Sequence, residues 1–281
     1  MNYRHVYHAG NFADVIKHAV LALAVAHLER KEAPFFSLDT HAGIGAYDLS
    51  SIEAGKTGEF LSGVVPVLEA SEPPAEILPY IAAVRAANGG EGGALRWYPG
   101  SPALVRALIR PQDRMAVVEL HPEDADDLRR RFAGDRQVGV HHMDGYTALK
   151  GLLPPPERRG LVLIDPPYEV KDELERLRRG LAQAFKRWST GFYMVWYPIK
   201  GREPITRFQA TLAADGMPKT LVAELLIRPD DDPFRLNGCG LLLVNPPWTL
   251  AESLASLLPW LVSVLAPVHG SHRLDWLVPE G

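Results

Sequence analysis

The chain has 281 residues, 47% of them hydrophobic, with a formal net charge of −4 and a pI near 6.2. That suffices for one large α/β domain with an insertion or for two modest ones, and it excludes a globally basic nucleic-acid binder; any such footprint must be local. The lone Cys239 excludes an intramolecular disulfide and a cysteine-based metal motif, and neither a signal-like start nor a bilayer-length apolar run is present, so a cytoplasmic protein without membrane contact is expected.

In chain order, Val15 to Leu28 is apolar but interrupted by Lys17, His18 and His27, which predicts an amphipathic helix. Phe35 to Asp39 predicts a strand, followed by the tight loop Thr40 to Gly45. Met115 to Glu119 is a second strand with an acid at its end, and Asp124 to Phe132 a charged helix. A short strand over Gln137 to His141 leads to the loop Met143-Asp144-Gly145. Leu161 to Ile164 reads as a buried strand ending at Asp165-Pro166-Pro167-Tyr168. Further apolar runs at Phe192 to Tyr197, Leu221 to Ile227 and Leu241 to Val244 complete a doubly wound, largely parallel sheet. The short polar connection Arg228 to Asn237 favours an antiparallel hairpin at one edge.

Spacing exposes an insertion. Glu119 to Asp144 and Asp144 to Asp165 are each one strand–helix–strand step, whereas Asp39 to Glu119 spans 80 residues. The excess, about 50–98, carries helical patterns around Gly58 to Ala70 and Ala75 to Ala87 and reads as a small helical subdomain within a single domain over 1–281.

Four loops then fall at the carboxyl ends of strands, where open α/β sheets bind ligands. Gly43 and Gly45 allow close backbone approach but lack the spacing of a dinucleotide fingerprint. Glu119 can accept from two ribose hydroxyls, or merely cap the next helix. Asp144 can accept from an adenine amine with Gly145 giving room, or serve as a turn residue. Asp165 and the carbonyl of Pro166 can accept the two hydrogens of an exocyclic amine on a flat ring, with Tyr168 offering a stacking face; each proline fixes its φ and supplies no N–H. A ribose acceptor, an adenine acceptor and a separate amine acceptor together describe S-adenosylmethionine beside an amine substrate. Asn245-Pro246-Pro247-Trp248 has the same form but comes on the last strand of the set, with no acceptors before it at one-step intervals. It is assigned to structure, with Trp248 packing on the core. Arg129 to Arg131, Arg176, Arg178, Arg179, Lys186 and Arg187 lie among acids and read as solvated helical faces. Arg4 and His5 are better placed for phosphate contacts.

Tyr3 to Asn11, Asp14 to His18, Leu38 to Gly45, Tyr98 to Pro102, Glu119 to Pro122, Asp144-Gly145, Ile164 to Glu169, Trp196 to Pro198 and Asn245 to Trp248 together resemble the bacterial ribosomal RNA large subunit methyltransferase J family. The resemblance implies a Rossmann-like class I methyltransferase sheet and S-adenosylmethionine-dependent N6-methylation of one adenine, position 2030, in 23S ribosomal RNA, met as free RNA or as an assembly intermediate. It implies that His18, His41 and Ser101 join Glu119, Asp144, Gly145 and Asp165 around the cofactor, that Asp165 is catalytic, and that Tyr3 meets the RNA. A monomer without a metal is expected. Two competing readings are a DNA adenine-N6 methyltransferase and a non-catalytic RNA-binding assembly factor on the same scaffold.

Overall fold

The structure is a computed structural model in which residues 4–279 are described. The elements run α1 (Phe12–Glu29), β1 (Phe36–Asp39), β2 (Ala46–Asp48), α2 (Ile52–Thr57), α3 (Val64–Glu69), α4 (Leu78–Ala86), β3 (Trp97–Pro99), α5 (Ser101–Leu108), β4 (Arg114–Glu119) and α6 (Pro122–Arg131). They continue β5 (Val138–His142), α7 (Gly145–Leu152), β6 (Gly160–Ile164), α8 (Glu173–Arg187), β7 (Phe192–Ile199), α9 (Arg202–Ala214), β8 (Thr220–Leu226), β9 (Gly238–Val244), α10 (Leu250–Leu265) and β10 (Ser271–Val278).

The main sheet has the order β10-β8-β9-β7-β6-β1-β4-β5. β1 pairs in parallel with both β4 and β6, and β6 in parallel with β7. The chain therefore winds outward one way through β4 and β5 and the other way through β6 and β7, which places a switch point between β1 and β6. Strand β6 shows why an unbroken apolar run belongs there: Leu161 and Leu163 enter the core on one face, Val162 and Ile164 that on the other.

The hairpin of β8 and β9 forms as expected, but it is not the sheet edge. β9 lies between β7 and β8, antiparallel to both, and β10 covers β8. Ser271–Val278 hides its strand character because half-exposed and exposed positions mix along it without a clean alternation. The insertion is also more tightly tied than its composition shows. β2 and β3 pair as an antiparallel clamp, Ala46 with Pro99 through Asp48 with Trp97, and close the base of the helical segment α2 to α4.

Helix α1 departs from the amphipathic expectation. Asn11 caps it, its side chain accepting from the N–H of Ala13 and Asp14 at 3.0 Å each. The helix is buried on nearly every side, including Asp14, Lys17 and His18. Asp14, Lys17 and His18 face the cleft at the carboxyl edge of the sheet, whereas His27 bonds Thr249. Trp248 is the reverse case: expected in the core, it is 76% exposed.

Candidate active site

A cleft of about 860 Å³ opens over the carboxyl ends of β1, β4, β5 and β6. Among the described residues it gathers Asp165, Pro166 and Tyr168; Glu119, Asp144 and Gly145; His18, His41 and Ser101; and Arg4 at the rim, while of the loop glycines it takes in Gly43 but not Gly45. Tyr3 lies outside the described residues.

Asp165 is not the solitary acceptor that its motif suggests. Its Oδ2 takes a hydrogen bond from Lys17 Nζ at 2.6 Å, and the same ammonium lies 2.9 Å from Asp14 Oδ1. His5 Nε2 meets Asp14 Oδ2 at 2.8 Å, so a chain of polar contacts runs His5, Asp14, Lys17, Asp165. Burial works against the Lys17 ammonium, but Asp14 and Asp165 outweigh it and hold its pKa well above the usual value. Burial would likewise lift Asp14, yet His5 and Lys17 hold it well below the carboxylate range. The signal for this arrangement was in the sequence: an acid and a lysine three apart in an otherwise apolar helix share one face. What the lysine reaches, 148 positions away, was not.

The corner after β6 is held from below. Tyr168 adopts φ +53° and donates its hydroxyl to the Trp196 carbonyl at 2.6 Å, with the two rings edge to face. A non-glycine residue in this region persists only where its surroundings fix it. Burial, with Asp165 nearby, pushes the Tyr168 phenol well above its ordinary pKa, so the ring stays neutral.

Glu119 bridges two loops, its carboxylate accepting from the N–H of Gly43 at 2.9 Å and of His121 at 2.7 Å. Asp144 caps α7 by accepting from Thr147 N at 2.8 Å and lies 3.5 Å from Arg176. The capping reading is thus realised for Asp144 while its carboxylate still lines the cleft. At Gly145 a side chain has no room, since a Cβ there would fall 2.4 Å from the Thr40 carbonyl and 2.9 Å from the His41 ring.

His18 Nδ1 meets the Tyr98 hydroxyl at 2.8 Å, whereas its buried Nε2 has no partner among the described residues. Burial pushes its pKa down to about 3, so the ring is neutral; if Tyr98 donates to Nδ1, Nε2 carries the hydrogen. His41, 2.8 Å from Thr40 Oγ1, is also neutral, pushed by burial to about 4. Ser101 donates to Asp39 Oδ2 at 2.6 Å, and burial raises the Asp39 carboxyl to about 6 against that bond. The unpartnered His18 Nε2, at the cleft that the neutral His41 ring also lines, is a group that a small polar ligand would complete.

Arg4 sits at the mouth with its guanidinium 3.3 Å from both Glu123 and Asp124. The other basic candidates divide. Arg129, Arg178 and Arg179 pair with acids one turn away on their own helices, at 2.7, 2.7 and 2.6 Å, as solvated faces do. Arg176 also lies 3.6 Å from Glu173 one turn away, but it sits over the Tyr146 ring at 5.1 Å and lines the cleft. Strand direction settles the second Pro-Pro corner. Because β9 runs antiparallel to β7, with Val244 opposite Tyr193 and Gly238 opposite Ile199, Asn245 emerges at the far edge of the sheet from Asp165. Its amide bonds the carbonyls of Ser189 and Gly191 at 2.7 and 3.1 Å, a structural role. Among the described residues no His, Cys, Asp and Glu group is arranged to hold a metal ion, and no helix is long and apolar enough to cross a membrane.

A parallel sheet reversing at β1 and β6, an antiparallel β9 beside β7, and acids gathered along one edge define the class I methyltransferase architecture. The family model described as Ribosomal RNA large subunit methyltransferase D, RlmJ matches residues 32–278. Over 281 residues, covering 100% of both chains, the sequence is 44% identical to Ribosomal RNA large subunit methyltransferase J of Escherichia coli (strain K12). It is 43% identical, with the same coverage, to the protein of that name from Haemophilus influenzae. The chain belongs to this RlmJ family. It is also similar to the crystal structure of protein LPL1258 from Legionella pneumophila, at 37% identity and TM-score 0.88 over 96% of this chain and 98% of that one.

Proposed function

We propose that the protein methylates N6 of one adenine in 23S ribosomal RNA, position 2030, with S-adenosylmethionine as donor. The observation that carries this reading is the Asp165 corner, whose carboxylate and neighbouring carbonyl meet at the switch point with one carboxylate oxygen already held by Lys17. The residues present fit the cofactor. The bare Gly145, the acids Glu119 and Asp144, and the unpartnered Nε2 of His18 are suited to an adenosyl group with a polar tail. When bound, S-adenosylmethionine supplies an electrophilic methyl on a sulfonium.

Lys17 occupies Oδ2 of Asp165 and leaves Oδ1 to accept from the adenine amine. The Pro166 carbonyl accepts the second hydrogen, so the amine is oriented by two acceptors and no donor competes for its lone pair. Tyr168, fixed through its hydroxyl, presents a ring for stacking, worth about 1–3 kcal/mol on the usual base–aromatic scale. As positive charge grows on the nitrogen, the Asp165 carboxylate stabilises it within a cleft poor in water. Proton loss from the cationic nitrogen follows, so no strong base is required beforehand. The base must leave its stack to reach this corner, at a cost of a few kcal/mol in a duplex.

Asp165→Ala is expected to abolish methyl transfer while largely preserving cofactor binding; near-wild-type turnover by this variant would sink the assignment. Nucleoside mass mapping of 23S RNA from cells with and without the protein should show one adenine losing a single methyl. Transfer to DNA in preference to naked 23S RNA would favour the DNA enzyme, and failure to bind S-adenosylmethionine would favour an assembly factor.

A further inference from the structure

We propose that Phe234, at the tip of the β8–β9 hairpin, stacks on the nucleobase next to the target and holds open the gap the target leaves. The proposal rests on the reading that the cleft accepts an RNA base. Its starting point is strand direction. Leu226 and Ile199 both stand opposite Gly238, so the hairpin turns at the same sheet edge as Asp165. Leu236 in the turn and Lys200 beside it line the cleft. Two residues before Leu236, Phe234 is 92% exposed, more than any other large apolar side chain among the described residues.

The turn holds the ring out on a built frame. Asn237, fully buried, donates from Nδ2 to the carbonyls of Lys200 and Asp232 at 2.7 Å each, and its N–H to Ile199 at 2.9 Å. Asp232 Oδ1 accepts from the N–H of Phe234 itself at 3.0 Å, and Asp230 is tied to Arg202 at 2.7 Å. An aromatic ring carried into water by a braced backbone beside a cleft offers a face to a flat partner.

Charge selects the kind of contact. The turn carries Asp230, Asp231 and Asp232 against Arg228 and Arg235, which disfavours tracking along phosphates. Asp230 and Asp232 each have an arginine within 3.3 Å, which blunts the repulsion without making the turn basic. Base stacking needs no charge and tolerates any sequence. Extruding one nucleotide leaves its neighbour with an open face, and apolar side chains fill such gaps in distorted duplexes. Trp248, also exposed, sits at the opposite sheet edge and serves as the control.

The test uses the full chain, transcribed bacterial 23S ribosomal RNA, and a hairpin fragment of it bearing 2-aminopurine beside the target adenine. Phe234→Ala should lower kcat/KM on the RNA and weaken RNA affinity by fluorescence anisotropy at least fivefold. Phe234→Tyr should restore both, and Trp248→Ala should change neither. Cofactor affinity and thermal midpoint should not move, while the 2-aminopurine quenching seen with wild type should disappear in Phe234→Ala. Unchanged RNA affinity and unchanged quenching in Phe234→Ala would overturn the proposal. If wild type binds the RNA but transfers no methyl, the functional reading fails and the anisotropy and quenching comparisons still decide Phe234.

Discussion

Lys17→Met removes the ammonium while keeping most of the side-chain volume. The Lys17 side chain is 6% exposed, with Asp165 at 2.6 Å and Asp14 at 2.9 Å. Removing one member of a buried ion pair costs about 3–5 kcal/mol, because the partner is left buried and unpaired. Two features pull this case toward the lower figure: His5 still bonds Asp14 at 2.8 Å, and the Asp165 side chain is 18% exposed to water. A loss of about 3 kcal/mol is expected for Lys17→Met, and about 1–2 for Asp165→Asn, which leaves the lysine one carboxylate partner. The double variant should fall short of the sum by about 1–3 kcal/mol, since neither charge is then stranded. Urea denaturation of the four proteins at neutral pH measures all three quantities. A coupling under about 0.5 kcal/mol would show that the pair is not made in solution, and the account of Asp165 with one occupied oxygen would fail.

Acidification gives a second test, with opposing signs. His18 and His41 have folded pKa values lowered to about 3 and about 4, so below the unfolded value near 6.5 the unfolded chain takes two protons that the folded chain refuses, and stability is lost. Asp39, raised to about 6, takes its proton in the folded state first and so returns stability as the pH falls from there toward 3.8. Over these three groups the net is one proton between about pH 6 and 4, about 1.4 kcal/mol per unit; in denaturation Asp39→Asn should steepen the loss and His18→Gln should make it shallower, each by about that amount. Gly145→Ala should weaken S-adenosylmethionine binding in calorimetry at least tenfold, because the new methyl meets the Thr40 carbonyl and the His41 ring; an unchanged affinity would show that the loop yields. Trp248→Ser should shift stability by under about 0.5 kcal/mol, as the side chain is 76% exposed, and a larger loss would restore it to a packing role.

How much of this was legible in the sequence differs by element. Acids at the ends of the apolar strands marked Glu119 and Asp165, because burial and period are local properties that a run of residues displays, and the one-step interval marked Asp144 in the loop between them. The 80-residue gap after Asp39 announced the insertion, though not the β2–β3 clamp, whose strands are three residues each. Lys17 read as an interruption of a helix because a charge in an apolar segment has no address until the fold supplies one. The Asn245 corner was set aside on strand order; strand direction, which no local pattern encodes, gives the stronger reason. Trp248 went wrong for a related cause: an aromatic after a strand packs or protrudes according to what covers that end of the sheet.

Helix α1 also bears on how the chain is made. It is synthesised before the helices it packs against, α4, α5 and α10, and carries apolar residues on nearly every side. The last of these, Leu250–Leu265, is made only after every strand from β1 to β9. Until α10 is made, the helix that supplies Lys17 and His18 has part of its packing surface unmatched, and long-range closure of this kind is slow and prone to aggregation. Chains arrested before α10 are expected to aggregate more readily than chains arrested after it, which sedimentation of the arrested products would measure.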